Sequence, residues 1–323
     1  MVDLTPITAL VQDDLVRMQQ LLDQCLHSEI TLIPKLSKHL VDSGGKRLRP
    51  LLVLLSAYAL NYTGQAHIPL AASLELIHSA TLLHDDVVDA SGLRRGKKTA
   101  NTVWGNAASI LVGDFLYSRA FQLIVNLEYP CILQSLAEAT NIIAEGEILQ
   151  LLSCRDPDTN EQQCLRVIRA KTGTLFSIAT QNMAMLAQRS AIEIQAMADY
   201  GMNLGIAFQL VDDAFDYCAS EENIGKNCGD DLMEGKPTFP LIYALKHAGP
   251  KGKQQIRHAI KQASCESLTD ILATIEATGA IAYTYQLAKS HLDQAFMCLC
   301  TIPESPYRDA LAHLLEFVVQ RTY

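Results

Sequence analysis

Proline is missing from two long tracts of this chain, positions 70–129 and 158–236, although the sequence holds eleven prolines. Nothing in those tracts removes a backbone donor, so helices of many turns can run through them. Alternating apolar and polar residues are also lacking over any useful length, whereas a 3.6-residue apolar period recurs almost throughout. The sequence therefore predicts an all-α fold. The nine cysteines are an odd, scattered set with no C-x-x-C spacing. They support neither a disulfide framework nor a zinc site, and they suit a reducing cytoplasm. No uninterrupted apolar run approaches the roughly 18 residues of a membrane span. Asp3, Asp13 and Asp14 stand near the start, where a secretion signal would be basic.

What is present bounds the rest. Hydrophobic residues make up 49% and charged residues 19% of the 323 positions, which excludes a disordered chain. The net charge of −9 argues against a nucleic-acid partner, so local basic clusters read as sites for a small anion. No linker or shift in composition divides the chain, and 1–323 is expected to form a single helical domain. The period predicts helices over 7–26, 30–42, 48–61, 68–90, 103–127, 131–153, 160–186, 190–219, 237–247, 252–264, 267–275, 278–300 and 305–320.

The fourth of these runs into Asp85, Asp86 and Asp89, and Arg94, Arg95, Lys97 and Lys98 follow at once. At about 100° per residue, His78, Thr81, Asp85 and Asp89 fall on one stripe, with Asp86 to one side. Asp85 and Asp89 then stack roughly 6 Å apart, a repulsion that calls for a positive charge between them. Oxygen donors without cysteine suit Mg²⁺ that shares a phosphate ligand, and neighbouring arginine forks suit a diphosphate bridging acids and bases. A solvated helix end remains the alternative for this cluster alone. The cluster recurs, however: Gly201, Gly205, Phe208, Asp212 and Asp216 share a later stripe, with Asp213 to one side, 127 residues on (212 − 85). The two glycines are expected to leave room for a ligand, and the facing carboxylates to clamp several Mg²⁺ ions around one diphosphate.

Other elements stay open when read from the residues. Gly44-Gly45-Lys46-Arg47-Leu48-Arg49 is a glycine cap with surface cations or a second anion site, and the company of other basic clusters favours the site. Glu145-Gly146-Glu147 with Gln150 reads equally as a solvated face. Lys171-Thr172-Gly173 is either a kink that aims Lys171 into a cavity or a packing glycine beside a surface lysine. The segment from Asn223 to Thr238 is either a loop that closes over phosphate or a solvated linker.

Taken in order along nearly the whole chain, these motifs resemble the trans-polyprenyl diphosphate synthases, and most closely the bacterial octaprenyl-forming ones. The resemblance rests on Gly-Gly-Lys-Arg-Leu-Arg-Pro, both Asp-Asp-x-x-Asp motifs, Arg94-Arg95-Gly96, Lys171-Thr172, Phe208-Gln209 and Gly235-Lys236-Pro237. It implies a helical bundle around a central cavity. There Lys46, Arg49, His78 and Arg95 hold isopentenyl diphosphate. Asp85, Asp86, Asp89, Asp212, Asp213 and Asp216 bind Mg²⁺ carrying an allylic diphosphate, farnesyl diphosphate in the first instance. Arg94, Lys171, Thr172, Gln209, Lys226 and Lys236 serve that second diphosphate, and Asp85, Asp89, Arg94, Lys171, Asp212 and Lys226 carry the catalysis. Ala80 and Thr81 line the product tunnel and set its length, although Ala80 lies about 140° from Asp85 on the helix. The tunnel floor is expected around Phe121–Ile124. The resemblance further implies a homodimer, an octaprenyl product destined for quinone side chains, and release at a membrane surface without an anchor. A terpene cyclase would have no use for the isopentenyl site, and a non-catalytic partner subunit none for both acidic motifs.

Overall fold

The computed structural model describes residues 4–42, 44–218 and 229–320, and Lys226 lies outside them. The order is α1 (Thr5–Ala9), α2 (Gln12–Cys25), α3 (Leu32–Asp42), α4 (Leu48–Ala59) and the long α5 (His67–Val88). A small antiparallel hairpin follows, β1 (Leu93–Arg94) on β2 (Lys97–Lys98), with Arg94 opposite Lys97. Then come α6 (Ala100–Trp104), α7 (Asn106–Val125), α8 (Pro130–Ser153), α9 (Glu161–Ile168), α10 (Thr174–Leu186) and α11 (Ala191–Phe215). The C-terminal part holds α12 (Asp230–Met233), α13 (Phe239–His247), α14 (Pro250–Gln262), α15 (Leu268–Ala277), α16 (Ala280–Leu299) and α17 (Pro306–Gln320). The fold is all-α.

The helix starts follow local chemistry. Pro130 and Pro250 open α8 and α14, where the missing donor costs nothing. Asn160 with Gln163 and Ser190 with Glu193 form reciprocal capping boxes on α9 and α11. Three expected helices are broken. The run expected over 7–26 divides at Leu10 and Val11 into α1 and α2. Gly105, at φ 84°, divides α6 from α7, and Arg169–Gly173 winds as one π turn between α9 and α10. A π turn inserts a residue into the helix and so shifts the face that each side chain presents.

α11 packs chiefly against α10 and α16, α5 against α7, and α4 against α5, α10 and α17. Leu51, Leu52, Val53, Leu54 and Leu55 are all buried, so α4 is enclosed on every side. Asp14 ties α2 to this centre: it accepts from Tyr58 Oη at 2.6 Å, Arg17 Nη1 at 2.8 Å and His67 Nε2 at 3.0 Å. A second buried cluster, including Tyr217, Leu232, Leu241, Ile256 and Ile271, joins α12 through α15.

Gly201 and Gly205 do not make room for a ligand. A Cβ at 201 would stand 2.3 Å from the Phe176 carbonyl oxygen, and one at 205 would stand 2.8 Å from Cα of Gly173. Their missing side chains are filled by the backbone of α10 and the π turn, and the close approach sets the depth of the second acidic row. α7 also differs from expectation. It is long and apolar enough by composition to cross a membrane, with 33% of its apolar window buried in the chain. Asp114 and Arg119 interrupt its apolar run, which is why a search for unbroken runs passes over it.

Candidate active site

The C-terminal end of α5 and the facing end of α11 form two walls of one cavity of about 1380 Å³. His78, Thr81, Asp85 and Asp89 line the first wall, as the α5 stripe predicts, and Gln209, Asp212, Asp213 and Asp216 line the second. Lys46, Arg49, Arg94, Arg95, Lys171, Thr172 and Lys236 open onto the same space. A Cβ on Gly45 would stand 3.0 Å from Nη1 of Arg95, so the Gly-Gly loop and the hairpin meet there.

Adjacent aspartates have different surroundings. Burial raises the Asp85 carboxyl above its usual range, Lys171 pulls it back and Asp89 pushes it further. Asp89 accepts a 2.7 Å bond from Lys236. Asp86 turns off the wall: it is 1% exposed and accepts from Nη2 and Nε of Arg94 at 2.7 and 3.1 Å. Its backbone carbonyl takes a further bond from Asn101. On α11, Thr172 donates to Gln209 at 2.9 Å, and Gln209 donates to Asp213 at 2.9 Å. Burial, reinforced by Asp231, pushes Asp213 well above the carboxylate range. Asp216 accepts from the Asp231 backbone N–H at 3.3 Å.

The cations are lodged against these acids. Burial disfavours the Lys236 charge, but Asp231, Asp89 and Glu234 outweigh it and raise its pKa. The π turn carries Lys171 into the cavity, where its Nζ lies 2.5 Å from Glu147 Oε2 and 3.9 Å from Asp85 Oδ2. Deeper in, burial pushes Arg49 down to about 10 against the pull of Glu75 and Asp212. Its guanidinium lies 4.6 Å over the Phe176 ring, and its buried Nε has no hydrogen-bond partner among the described residues. Burial, with Arg49, Arg94 and Arg95 nearby, drives His78 well below its usual range, so the ring is neutral. Lys46 stands at the exposed rim, 4.9 Å over Phe317.

The open cavity reaches Thr81 but neither Ala80 nor the expected floor. Ala80 is fully buried in helix packing and off the cavity wall, while Thr81 is on it. The tunnel floor expected at 121–124 is likewise off the wall. Leu116, Ala120 and Ile124 share an inward stripe of α7, but only Leu116 reaches the cavity, which Ile143, Leu175 and Phe176 also line. Five acids that line the cavity have no role assigned from the sequence: Glu75, Glu147, Asp230, Asp231 and Glu234. Glu75 sits one turn before His78 on the same stripe, the one signal that marks it.

Among the described residues no three acidic, histidine or cysteine side chains close tightly enough to hold a metal alone. The donor set nevertheless fits a hard cation: two facing rows of carboxylate oxygens, with lysine ammoniums lodged where a cation would sit. Separated rows suit ions that arrive with a bridging diphosphate.

A family model for polyprenyl synthetase matches residues 30–276. Octaprenyl diphosphate synthase of Escherichia coli (strain K12) is 46% identical over 320 residues, 99% of each chain. All-trans-nonaprenyl-diphosphate synthase (geranyl-diphosphate specific) of Rhodobacter capsulatus is 42% identical over 98% of this chain and 97% of that one. The crystal structure of a polyprenyl synthase from Caulobacter crescentus CB15, complexed with calcium and isoprenyl diphosphate, matches with a TM-score of 0.94. It is 41% identical over 99% of this chain and 98% of that one. Fold and likeness together define an all-α prenyltransferase that elongates trans-prenyl chains. Within that class the chain belongs to the polyprenyl synthetase family.

Proposed function

We propose that this enzyme extends farnesyl diphosphate with successive isopentenyl diphosphates, in the presence of Mg²⁺, to all-trans octaprenyl diphosphate for quinone side chains. The observation that carries the reading is one cavity holding two facing aspartate rows and two sets of cations. Asp85, Asp89, Asp212 and Asp216 would hold Mg²⁺, which would supply positive charge to the allylic diphosphate. Asp86 and Asp213 act behind them, the first by orienting Arg94 and the second by anchoring Gln209.

Lys171, Lys236 and Arg94 meet the negative charge that grows on the leaving diphosphate as its C–O bond breaks, both electrons going to oxygen. Lys46, Arg49 and Arg95 hold isopentenyl diphosphate, with neutral His78 as a hydrogen-bonding neighbour. The isopentenyl double bond forms the new C–C bond to the allylic cation, and the resulting cation loses a proton to the departed diphosphate. Buried apolar walls at Leu116, Ile143 and Leu175 keep water from that cation. The octaprenyl length rests on the high identity to the Escherichia coli enzyme.

We place the chain in the cytoplasm, in keeping with its eight free cysteines among the described residues. We assign it a homodimer through the apolar faces of α7 and α8. The decisive experiment gives purified protein labelled isopentenyl diphosphate and farnesyl diphosphate, with Mg²⁺ or with EDTA, and separates the dephosphorylated lipids. An EDTA-sensitive ladder ending near forty carbons is expected. No elongation from any allylic primer would overturn the reading, and a ladder ending one unit longer would correct the length.

A further inference from the structure

We propose that Glu147 is a positioning residue that draws Lys171 away from Asp85 and so leaves the Asp85 carboxylate open to the cation that accompanies the diphosphate. The inference rests on the reading of the cavity given above. α8 can deliver an acid to this place because residue 146 has no side chain. A Cβ there would stand 2.6 Å from Cβ of Ala170 and 3.2 Å from the Lys171 backbone nitrogen. Bare Gly146 thus lets α8 lie directly on the π turn. The next residue along, Glu147, meets the lysine that the turn presents.

The ammonium is shared unequally, 2.5 Å from Glu147 Oε2 and 3.9 Å from Asp85 Oδ2. The side chains of Lys171, Asp85 and Glu147 are only 15%, 23% and 30% exposed, so water does not screen this choice as it would at the surface. If Glu147 loses its charge, Asp85 is the acid left within reach. Lys171 then pairs with it, and a divalent cation has to displace the lysine before it can bind. Glu147 acts through Lys171.

The test uses the intact protein without turnover. Wild type, Glu147→Gln and Glu147→Ala are titrated with Mg²⁺ at a fixed concentration of inorganic diphosphate, and the rise in Tm is followed. Both variants are expected to need about tenfold more Mg²⁺ for half the rise, the order that one lost counter-charge gives. Their Tm without ligands serves as the check on folding. In a Lys171→Met background the competitor for Asp85 is gone, so adding Glu147→Gln should leave the Mg²⁺ requirement of that background unchanged. An unaltered Mg²⁺ requirement in the single variants, or an undiminished shift in the Lys171→Met background, overturns the proposal. Wild-type protein that shows no joint response to Mg²⁺ and diphosphate overturns the reading of the cavity and this inference with it.

Discussion

Asp85 and Asp86 are neighbours with the same side chain, and opposite results are expected from making each neutral. Asp85→Asn removes a carboxylate that burial and Asp89 already penalise. An acid whose folded pKa is raised binds more protons folded than unfolded, so it costs stability as pH climbs past its unfolded value near 3.8. The variant is therefore expected to match or exceed wild type in Tm at neutral pH, an advantage that disappears below about pH 4. Prenyl transfer should nonetheless fall by about a hundredfold or more, the order seen when one stabilising charge leaves a transition state. Asp86→Asn instead leaves Arg94 without its buried partner. It should cost roughly 1–3 kcal/mol of stability, with a smaller loss of turnover. Thermal melts at two pH values and steady-state rates distinguish the two patterns, and a stable, inactive Asp86→Asn would make it a ligand after all. The sequence shows that three acids recur at fixed spacing and that two of them share a stripe. It does not show that Arg94, eight residues on, folds back onto Asp86, or that Gln209 and Thr172 brace Asp213. Glu147 went unassigned for a related reason: beside Glu145 it has the pattern of any wet helix face, and its partner Lys171 comes from another helix.

At the scale of helices, the proline-free tracts and the apolar period locate the long elements to within a few residues, because both are local properties of the chain. The π turn and the break at Gly105 escape them. One inserted residue leaves an average period almost unchanged, and Gly105 acts through a positive φ. The glycines of α11 were visible but assigned the wrong neighbour, since the period tells which residues share a stripe and not what faces it. Gly205→Ala tests the close approach of α11 to α10 and the π turn. Its Cβ would lie 2.8 Å from Cα of Gly173 and 3.1 Å from Cβ of Phe176, so α11 must move off α10 and the π turn. A loss of about 1–3 kcal/mol is expected, as for an overpacked core. Asp212 and Lys171 would separate with it, so kcat should fall further than the melting temperature alone explains. If the cavity had used the space at residue 205 for a ligand, the alanine would instead leave stability intact and raise the KM for an allylic diphosphate.

For the whole molecule, the question is what covers the apolar outer face. Ile110 and Leu111 on α7 and Ile148, Leu151 and Leu152 on α8 are 41%, 68%, 58%, 60% and 72% exposed. Ile148, Leu151 and Leu152 lie at i, i+3 and i+4, so they form one stripe. A contiguous apolar face of this kind marks a surface that something else covers. Lipid is the poorer occupant: α7 carries Asp114 and Arg119, and its other side is packed on α5. A second copy presenting the same face across a two-fold axis would bury both stripes at once. The pair Leu151→Glu and Leu152→Glu puts two charges into that seam, each costing several kcal/mol if it stays dry. Wild-type protein is expected to sediment as a dimer and the double variant as a monomer with unchanged helix content. A wild-type monomer at micromolar concentration would remove the homodimer, and a double variant that stays dimeric would move its interface to another face.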